Sequence, residues 1–211
     1  MKTISEEMLC ELRQAVAGSM SPKRFYHTAC VEEAVAALCE LYCPEHTDKM
    51  RAAALLHDLT KELTTDGQIA LCKQYGLSVS DADRLSPKTF HARTAAARIE
   101  HEFPAFADEM IVNAVRWHTT GHAGMTLSEQ LLYLADYIDA SRTFPSCVML
   151  RRHFWDADPA QMTPEERLSL LRETLILSYD MTIRDLLDEG LPVAADTVLS
   201  RNELLLKQSG H

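Results

Sequence analysis

Apolar residues recur along this chain at spacings of three and four, and alternation of apolar with polar positions is almost absent. That period belongs to helices with one buried face, because side chains at i, i+3 and i+4 stack on the same side. It predicts an all-α protein, a single helical bundle. The first helix covers about 5–17, with Ser5 as its cap. A second starts at Ser21-Pro22, a cap followed by a first-turn proline, and runs to about Leu41. Further helices cover about 47–58, 66–75 and 89–102. Pro104 opens another that ends near Thr119, and the next runs from about 126 to 142. A long helix at 163–189 is stopped by Gly190-Leu191-Pro192, and a short tail helix follows Ser200. The stretches 76–88 and 119–125 read as loops. No repeat and no linker rich in Pro, Gly or Ser divides the chain, so 1–211 is read as one domain.

The stretch "AALLHDLTK" at 53–61 interrupts this pattern, because two ionisable residues follow an apolar helical turn. Burying either one unpaired costs several kcal/mol, so a hydrogen-bond network, a metal ion or a ligand must offset it. Other helices repeat the anomaly. His27 continues the stripe of Val31, Val35 and Leu38, while Glu32, Glu33 and Glu40 point elsewhere. Ile111, Val115 and His118 form a similar line, Asp136 shares a face with Leu132, and His91 opens the helix that carries Ala95. Five helices thus aim a metal-competent residue inward, as bundles do when they build metal sites from facing side chains. The other histidines, His46, His101, His122, His153 and His211, lack this placement and are read as surface residues, with His122 of interest because it follows His118.

The candidate ligands are His27, His57, Asp58 and Asp136, all nitrogen or oxygen donors. Such a set suits iron, manganese, zinc or cobalt better than a thiophilic ion. Four protein ligands on an octahedral ion leave two positions for water or a substrate oxygen, as hydrolysis requires. Arg24 lies three residues before His27, Lys61 three after Asp58, and Arg142 six after Asp136, which suggests a phosphate clamp.

Composition narrows the partners. A net charge of −10 argues against a nucleic-acid partner, and it means that an anionic substrate is held by a local positive site. No apolar run reaches transmembrane length, and Glu6, Glu7 and Glu11 leave no readable signal peptide, so no membrane partner is expected. The six cysteines form no Cys-x-x-Cys pair and read as reduced thiols of a cytoplasmic protein. The helices at 5–17 or 163–189 leave room for a homodimer.

The order His27, His57-Asp58, Asp136 on an all-helical chain resembles the HD-domain metal-dependent phosphohydrolase superfamily. The segments "SPKRFYHT", "LLHDLTK", "FHART", "VRWHTTGHAGM", "LLYLADYIDASR" and "LPVAADTVLSRN" further resemble the YqeK family of symmetrical bis(5′-nucleosyl)-tetraphosphatases, over about residues 19–203. The resemblance implies an HD-domain bundle that cuts diadenosine tetraphosphate into two ADP, using iron bound by His27, His57, Asp58 and Asp136. It implies ADP contacts from Arg24, Asp58, Leu59, Thr60, Lys61, His91, His118, Asp136 and Arg142. The nucleoside end would lie on Pro192, Val193, Ala194, Ala195, Asp196 and Thr197.

On this reading, water activated by the ion attacks an inner phosphate. Asp58 orients or deprotonates that water, Lys61 stabilises charge, and His118 or His91 supplies a proton to the leaving group. His91 and His118 bind either phosphate or a second metal. Alternatives on the same scaffold are a nucleotidase, a nucleoside-triphosphate hydrolase, a cyclic-dinucleotide phosphodiesterase, or a non-catalytic nucleotide sensor. Two departures stand out. "ADYIDASR" replaces the common "ADYIEPxR", with a shorter carboxylate at Asp139 and no proline, which predicts a looser approach of Arg142. Arg201 stands where an aromatic residue is common, with consequences for base stacking or phosphate contact.

Overall fold

Most helices begin where the sequence supplies a capping side chain. In the computed structural model, which describes residues 4–208, Ser5 and Ser21 accept first-turn backbone N–H groups of α1 (Glu6–Ala17) and α2 (Pro22–Tyr42). Thr64 does the same for α4 (Thr65–Gln74), which follows α3 (Thr47–Leu56). Ser80 and Asp83 form a capping box on the short α5 (Asp81–Leu85), inside the stretch expected to be loop. Next come α6 (Phe90–Glu102) and α7 (Glu109–Trp117). Thr126 with Glu129, and Thr163 with Glu166, box the starts of α8 (Leu127–Ile138) and α10 (Pro164–Asp188). Between them lies α9 (Pro145–Trp155), and α11 (Ala195–Gln208) ends the described chain. The eleven helices are accompanied by three one-turn 3-10 segments and no strand among the described residues. None of these helices is long and apolar enough to cross a membrane.

Several boundaries differ from the sequence reading, and the helix expected to run to 142 ends at Ile138. Pro104 sits in a turn and does not open α7, whose cap is Asp108, accepting from Met110 N. The helix through 57–58 stops at Leu56, leaving His57 as its C-cap and Asp58 in the following turn. The tail helix starts at Ala195, five residues before Ser200. Residues 145–155 form α9, for which no helix was expected.

α2, α3 and α8 make the centre of the bundle, with α7 and α6 packed on one side and α9 and α10 on another. Val31, Val35 and Leu38 of α2 are fully buried where α2 packs on α3, whose small residues Ala52, Ala53 and Ala54 are buried all round the helix. Glu32 corrects an expectation. It does not point to solvent with Glu33 and Glu40 but is buried, receiving Arg13 Nη2 at 2.5 Å and Arg51 Nε at 3.1 Å. Arg51 reaches on to Glu6 at 2.6 Å, so α1, α2 and α3 share one ion network.

The tail is fastened to the loop that follows α7. Thr197 Oγ1 donates to Thr120 O at 3.0 Å, and Ser200 Oγ donates to the Tyr179 hydroxyl at 2.8 Å. Gly121, between these points, has φ +61°, and a Cβ there would overlap the Tyr179 hydroxyl. This docking sets the distance between α11 and the end of α7, where His118 lies.

Candidate functional site

Five helices bring their inward polar residues to one place. His27 comes from α2, His57 and Asp58 from the end of α3, His91 from the first turn of α6, His118 from the C-cap of α7, and Asp136 from the last turn of α8. His27, His57, Asp58, His91 and His118 are all buried. His27 Nε2 lies 3.0 Å from Asp136 Oδ1 and 3.7 Å from Asp58 Oδ2, and His57 Nε2 lies 3.4 Å from the same Asp58 oxygen. The other Asp58 oxygen, Oδ1, faces His91 Nε2 at 3.3 Å and His118 Nε2 at 3.9 Å. One carboxylate therefore joins two pairs of histidines.

The protonated edge of each ring follows from its partner, since a carbonyl oxygen only accepts. His57 Nδ1 sits 2.6 Å from Ala54 O, His118 Nδ1 2.6 Å from Val115 O, and His91 Nδ1 2.8 Å from Lys88 O. Each Nδ1 is thus the N–H, and each Nε2 lone pair is aimed at the cluster. Nε2 of His27 and of His57 are buried and make no hydrogen bond. Buried polar atoms are rarely left so, because the desolvation penalty stays uncompensated. Ligand atoms of His27, His57 and Asp136 all lie within 4.8 Å of one another, as do those of His57, Asp58 and His118. Two unpartnered imidazole nitrogens beside two carboxylates are a donor set that a divalent cation completes, and no cysteine joins either group among the described residues.

Electrostatics agree with this donor set. Burial pushes the Asp58 carboxyl up, but its close contacts with His57, His91 and Lys61 outweigh it and hold it well below the usual carboxylate range. Asp136 is held low in the same way, chiefly by Arg142 and then by His27 and His57. Burial and the neighbouring His57 push His118 down to about 4, and burial with Lys61 and His118 pushes His91 well below its ordinary value. Burial would also lower His27, yet its contacts with Asp136 and Asp139 raise it to about 9. Lys61 is lowered by burial, which Asp58 and Asp136 only partly offset. His91 Nε2 and His118 Nε2 meet at 3.0 Å, with Lys61 Nζ 3.2 Å from the first and Thr119 Oγ1 3.3 Å from both.

A crevice of about 360 Å³ opens beside the cluster. Lys61, Thr119, Asp136 and Arg142 supply its polar wall, and Leu85, Pro87, Leu186 and Leu191 supply apolar surface. Of the expected tail segment, Pro192, Ala194 and Thr197 line it, while Val193, Ala195 and Asp196 do not. Leu59 and Thr60 are buried, and Thr60 Oγ1 turns to His91 O at 3.0 Å, away from the crevice. Arg24 lies on the other side of Asp58, donating to Oδ2 at 2.8 Å. Arg201 is not at the crevice and pairs instead with Asp180 on α10. A larger hollow of about 550 Å³ between Tyr42 and Glu129 holds none of the cluster's residues. His101 and His153 are exposed, His46 is half-buried, and His211 lies outside the described residues. His122 is half-buried too, stacked on Trp117 with Nε2 3.3 Å from Glu129, away from the cluster.

Ser141, Thr119 and Arg151 support this site and were not singled out from sequence, while Asp139 was noted only as a shorter carboxylate. Arg151 of α9 donates to the main-chain oxygens of Ile138 (2.7 Å), Asp139 and Arg142 (2.8 Å). That clamp does the work expected of the missing proline. Arg142 approaches closely, with Nε on Asp136 O at 2.8 Å and a second donor on the Asp136 carboxylate, so the expected loosening is not found. The signal for the clamp was Phe144-Pro145 followed by Cys147, Leu150 and Phe154, the buried face of α9.

Residues 24–141 match the HD domain family. A protein of Halalkalibacterium halodurans named "Bis(5′-nucleosyl)-tetraphosphatase, symmetrical" is 30% identical over 195 residues, 92% of this chain and 96% of that protein. A Staphylococcus aureus protein of the same name is 35% identical over 161 residues, 76% of this chain and 81% of its own length. The crystal structure of a "predicted HD superfamily hydrolase involved in NAD metabolism" from Clostridium acetobutylicum superposes with a TM-score of 0.80 at 27% identity, covering 94% of this chain and 97% of the other. With the histidine–aspartate cluster in the matched region and the relatives spanning most of the length, the chain belongs to the HD domain family, alongside the symmetrical bis(5′-nucleosyl)-tetraphosphatases.

Proposed function

We propose that this protein hydrolyses diadenosine tetraphosphate symmetrically into two ADP, through an ion held by His27, His57, Asp58 and Asp136. The names of the relatives support the substrate. The observation that carries the chemistry is the pair of unpartnered Nε2 atoms on His27 and His57, set beside two carboxylates at the mouth of a crevice with Lys61 and Arg142 in its wall. Iron is the proposed ion, with manganese, cobalt and zinc as occupants the same nitrogen and oxygen donors accept. When bound, such an ion supplies Lewis acidity, lowering the pKa of water and drawing charge from a phosphoryl oxygen. We read residues 1–211 as one domain serving this site.

The chain's own groups divide the remaining work. Asp58 stays ionised at neutral pH, so its oxygens accept from a water and orient it toward phosphorus. Lys61 and Arg142 face the phosphates from the crevice, and Arg24 meets them from the opposite side of Asp58. Thr197 and the Pro192–Ala194 edge hold the nucleoside end against the apolar wall of Leu186 and Leu191. His118, neutral at physiological pH with its one N–H held by Val115 O, turns an unprotonated Nε2 to the site and does not act as a proton donor.

A second reading has its own support: the facing Nε2 lone pairs of His91 and His118, near Asp58 Oδ1, suit a second cation. The test is to purify the protein without chelator, measure metal per chain, and follow diadenosine tetraphosphate by anion-exchange chromatography. ADP as sole product with one metal per chain supports the first reading. Two per chain favours the second. AMP plus ATP removes the symmetric cut, and no turnover with iron, manganese or cobalt removes this substrate.

A further inference from the structure

Of the four histidines in the cluster, three have Nδ1 fixed by a main-chain carbonyl three residues earlier in the chain. His27 is the exception. Its Nδ1 faces side chains, Ser141 Oγ at 3.0 Å and Asp139 Oδ2 at 3.5 Å. Asp139 is wholly buried, and its Oδ1 accepts both the Ser141 backbone N–H, at 2.8 Å, and the Ser141 hydroxyl. A serine hydroxyl has one proton. Since that proton is committed to Asp139, Ser141 Oγ offers only lone pairs to His27, and Nδ1 must be the N–H.

We infer that Asp139 and Ser141 together are the positioning pair of this site, fixing His27 so that Nε2 is the nitrogen free to bind the ion. The inference rests on the proposed role of His27 as a ligand. The remaining Asp139 oxygen, Oδ2, makes no hydrogen bond and sits 3.5 Å from Arg142 Nε as well as from His27 Nδ1. The same carboxylate therefore faces a ligand histidine and the crevice arginine. Arg151, by holding the carbonyls of Ile138, Asp139 and Arg142, keeps the turn in the shape that brings Asp139 and Ser141 under His27. Groups that accept from a ligand histidine in this way set its ring orientation and raise its basicity.

An asparagine at 139 cannot reproduce this. With its amide nitrogen toward Ser141 it opposes the Ser141 N–H, and with it toward His27 it opposes the N–H groups of His27 and Arg142. In the first orientation the Ser141 hydroxyl is free to donate a hydrogen bond to His27 Nδ1, which puts the ring's own N–H on Nε2, the wrong edge for a ligand. At 141, valine and threonine share a shape and differ in the hydroxyl.

The test is a cobalt(II) titration of the full-length, metal-stripped protein against a competing chelator, with metal-free melting run in parallel. Asp139→Asn is expected to bind cobalt about 10- to 100-fold more weakly, the usual scale for losing such a partner. Ser141→Val is expected to lose about tenfold and Ser141→Thr to stay within about threefold of wild type. Equal cobalt affinity in the valine and threonine variants overturns the inference even if Asp139→Asn does not fold, and so does wild-type affinity in Asp139→Asn. A wild-type protein that binds no cobalt overturns the ligand reading of His27 itself, whereas normal binding in wild type and variants alike overturns only the positioning role.

Discussion

Arg24 Nη1 donates to Asp58 Oδ2 at 2.8 Å, and that oxygen is also the one shared by His27 and His57. The arginine thus covers the outer edge of the cluster while the aspartate anchors its centre. The two should separate kinetically. Asp58→Asn keeps the shape but removes the negative charge, and it should lose bound metal together with at least about 10²-fold in turnover. Arg24→Ala should keep its metal and raise KM, with kcat within about threefold, because a group that binds ground and transition states alike moves KM alone. Metal content and steady-state kinetics on both variants check this, and loss of metal from Arg24→Ala would contradict it.

His118→Ala distinguishes binding from proton donation. A general acid is worth about 10²- to 10⁴-fold in rate. Because burial and His57 hold His118 down to about 4, Nε2, the edge that faces the site, carries no proton to give at pH 7. The expected outcome is kcat preserved within about tenfold. A collapse of kcat at saturating substrate would restore the donor role.

The bundle and the inward polar residues were legible because both are local: a period of 3.6 identifies a helix and places His27, His118 and Asp136 on its buried face. What escaped was decided by contacts between distant segments. Ser141 matters because it meets His27 across the site, which no periodicity encodes. Arg151 matters because α9 folds back over the end of α8, and on sequence it is one charge among several in "LRRHFW". Glu32 reads as solvated until Arg13 and Arg51, from two other helices, are seen to cover it. The start of α11 at Ala195 was hidden because its first turn is small and polar, and Thr197 is buried only through the loop it docks on.

Stability of the metal-free protein should depend on pH in both directions. His27 is raised from 6.5 to about 9 in the folded state, so its contribution is complete below about 6.5 and is lost as pH rises through 9. His118 is lowered from 6.5 to about 4, so the unfolded chain binds more protons between these values and stability falls as pH drops below about 6.5. Melting in the presence of chelator should therefore peak near pH 6.5. His27→Gln should flatten the alkaline side while leaving the acid side, and an unchanged alkaline slope in that variant would show that another group sets it.

Gly121→Ala tests whether the tail is part of the site. The left-handed backbone at φ +61° costs a non-glycine residue about 1–2 kcal/mol. The new methyl would also overlap the Tyr179 hydroxyl, and displacing a packed side chain costs about 1–3 kcal/mol more. Tyr179 of α10 is the group on which Ser200 docks, so moving it loosens α11 where it packs between α10 and the loop after α7. Thr197, in the first turn of α11, would then withdraw from the crevice. The melting temperature should fall by roughly 4 °C or more, and KM for the dinucleotide should rise while cobalt affinity, set by helices that do not move, stays as in wild type. A drop in metal affinity of the same size would mean that the docked tail supports the whole cluster and not the nucleoside end alone.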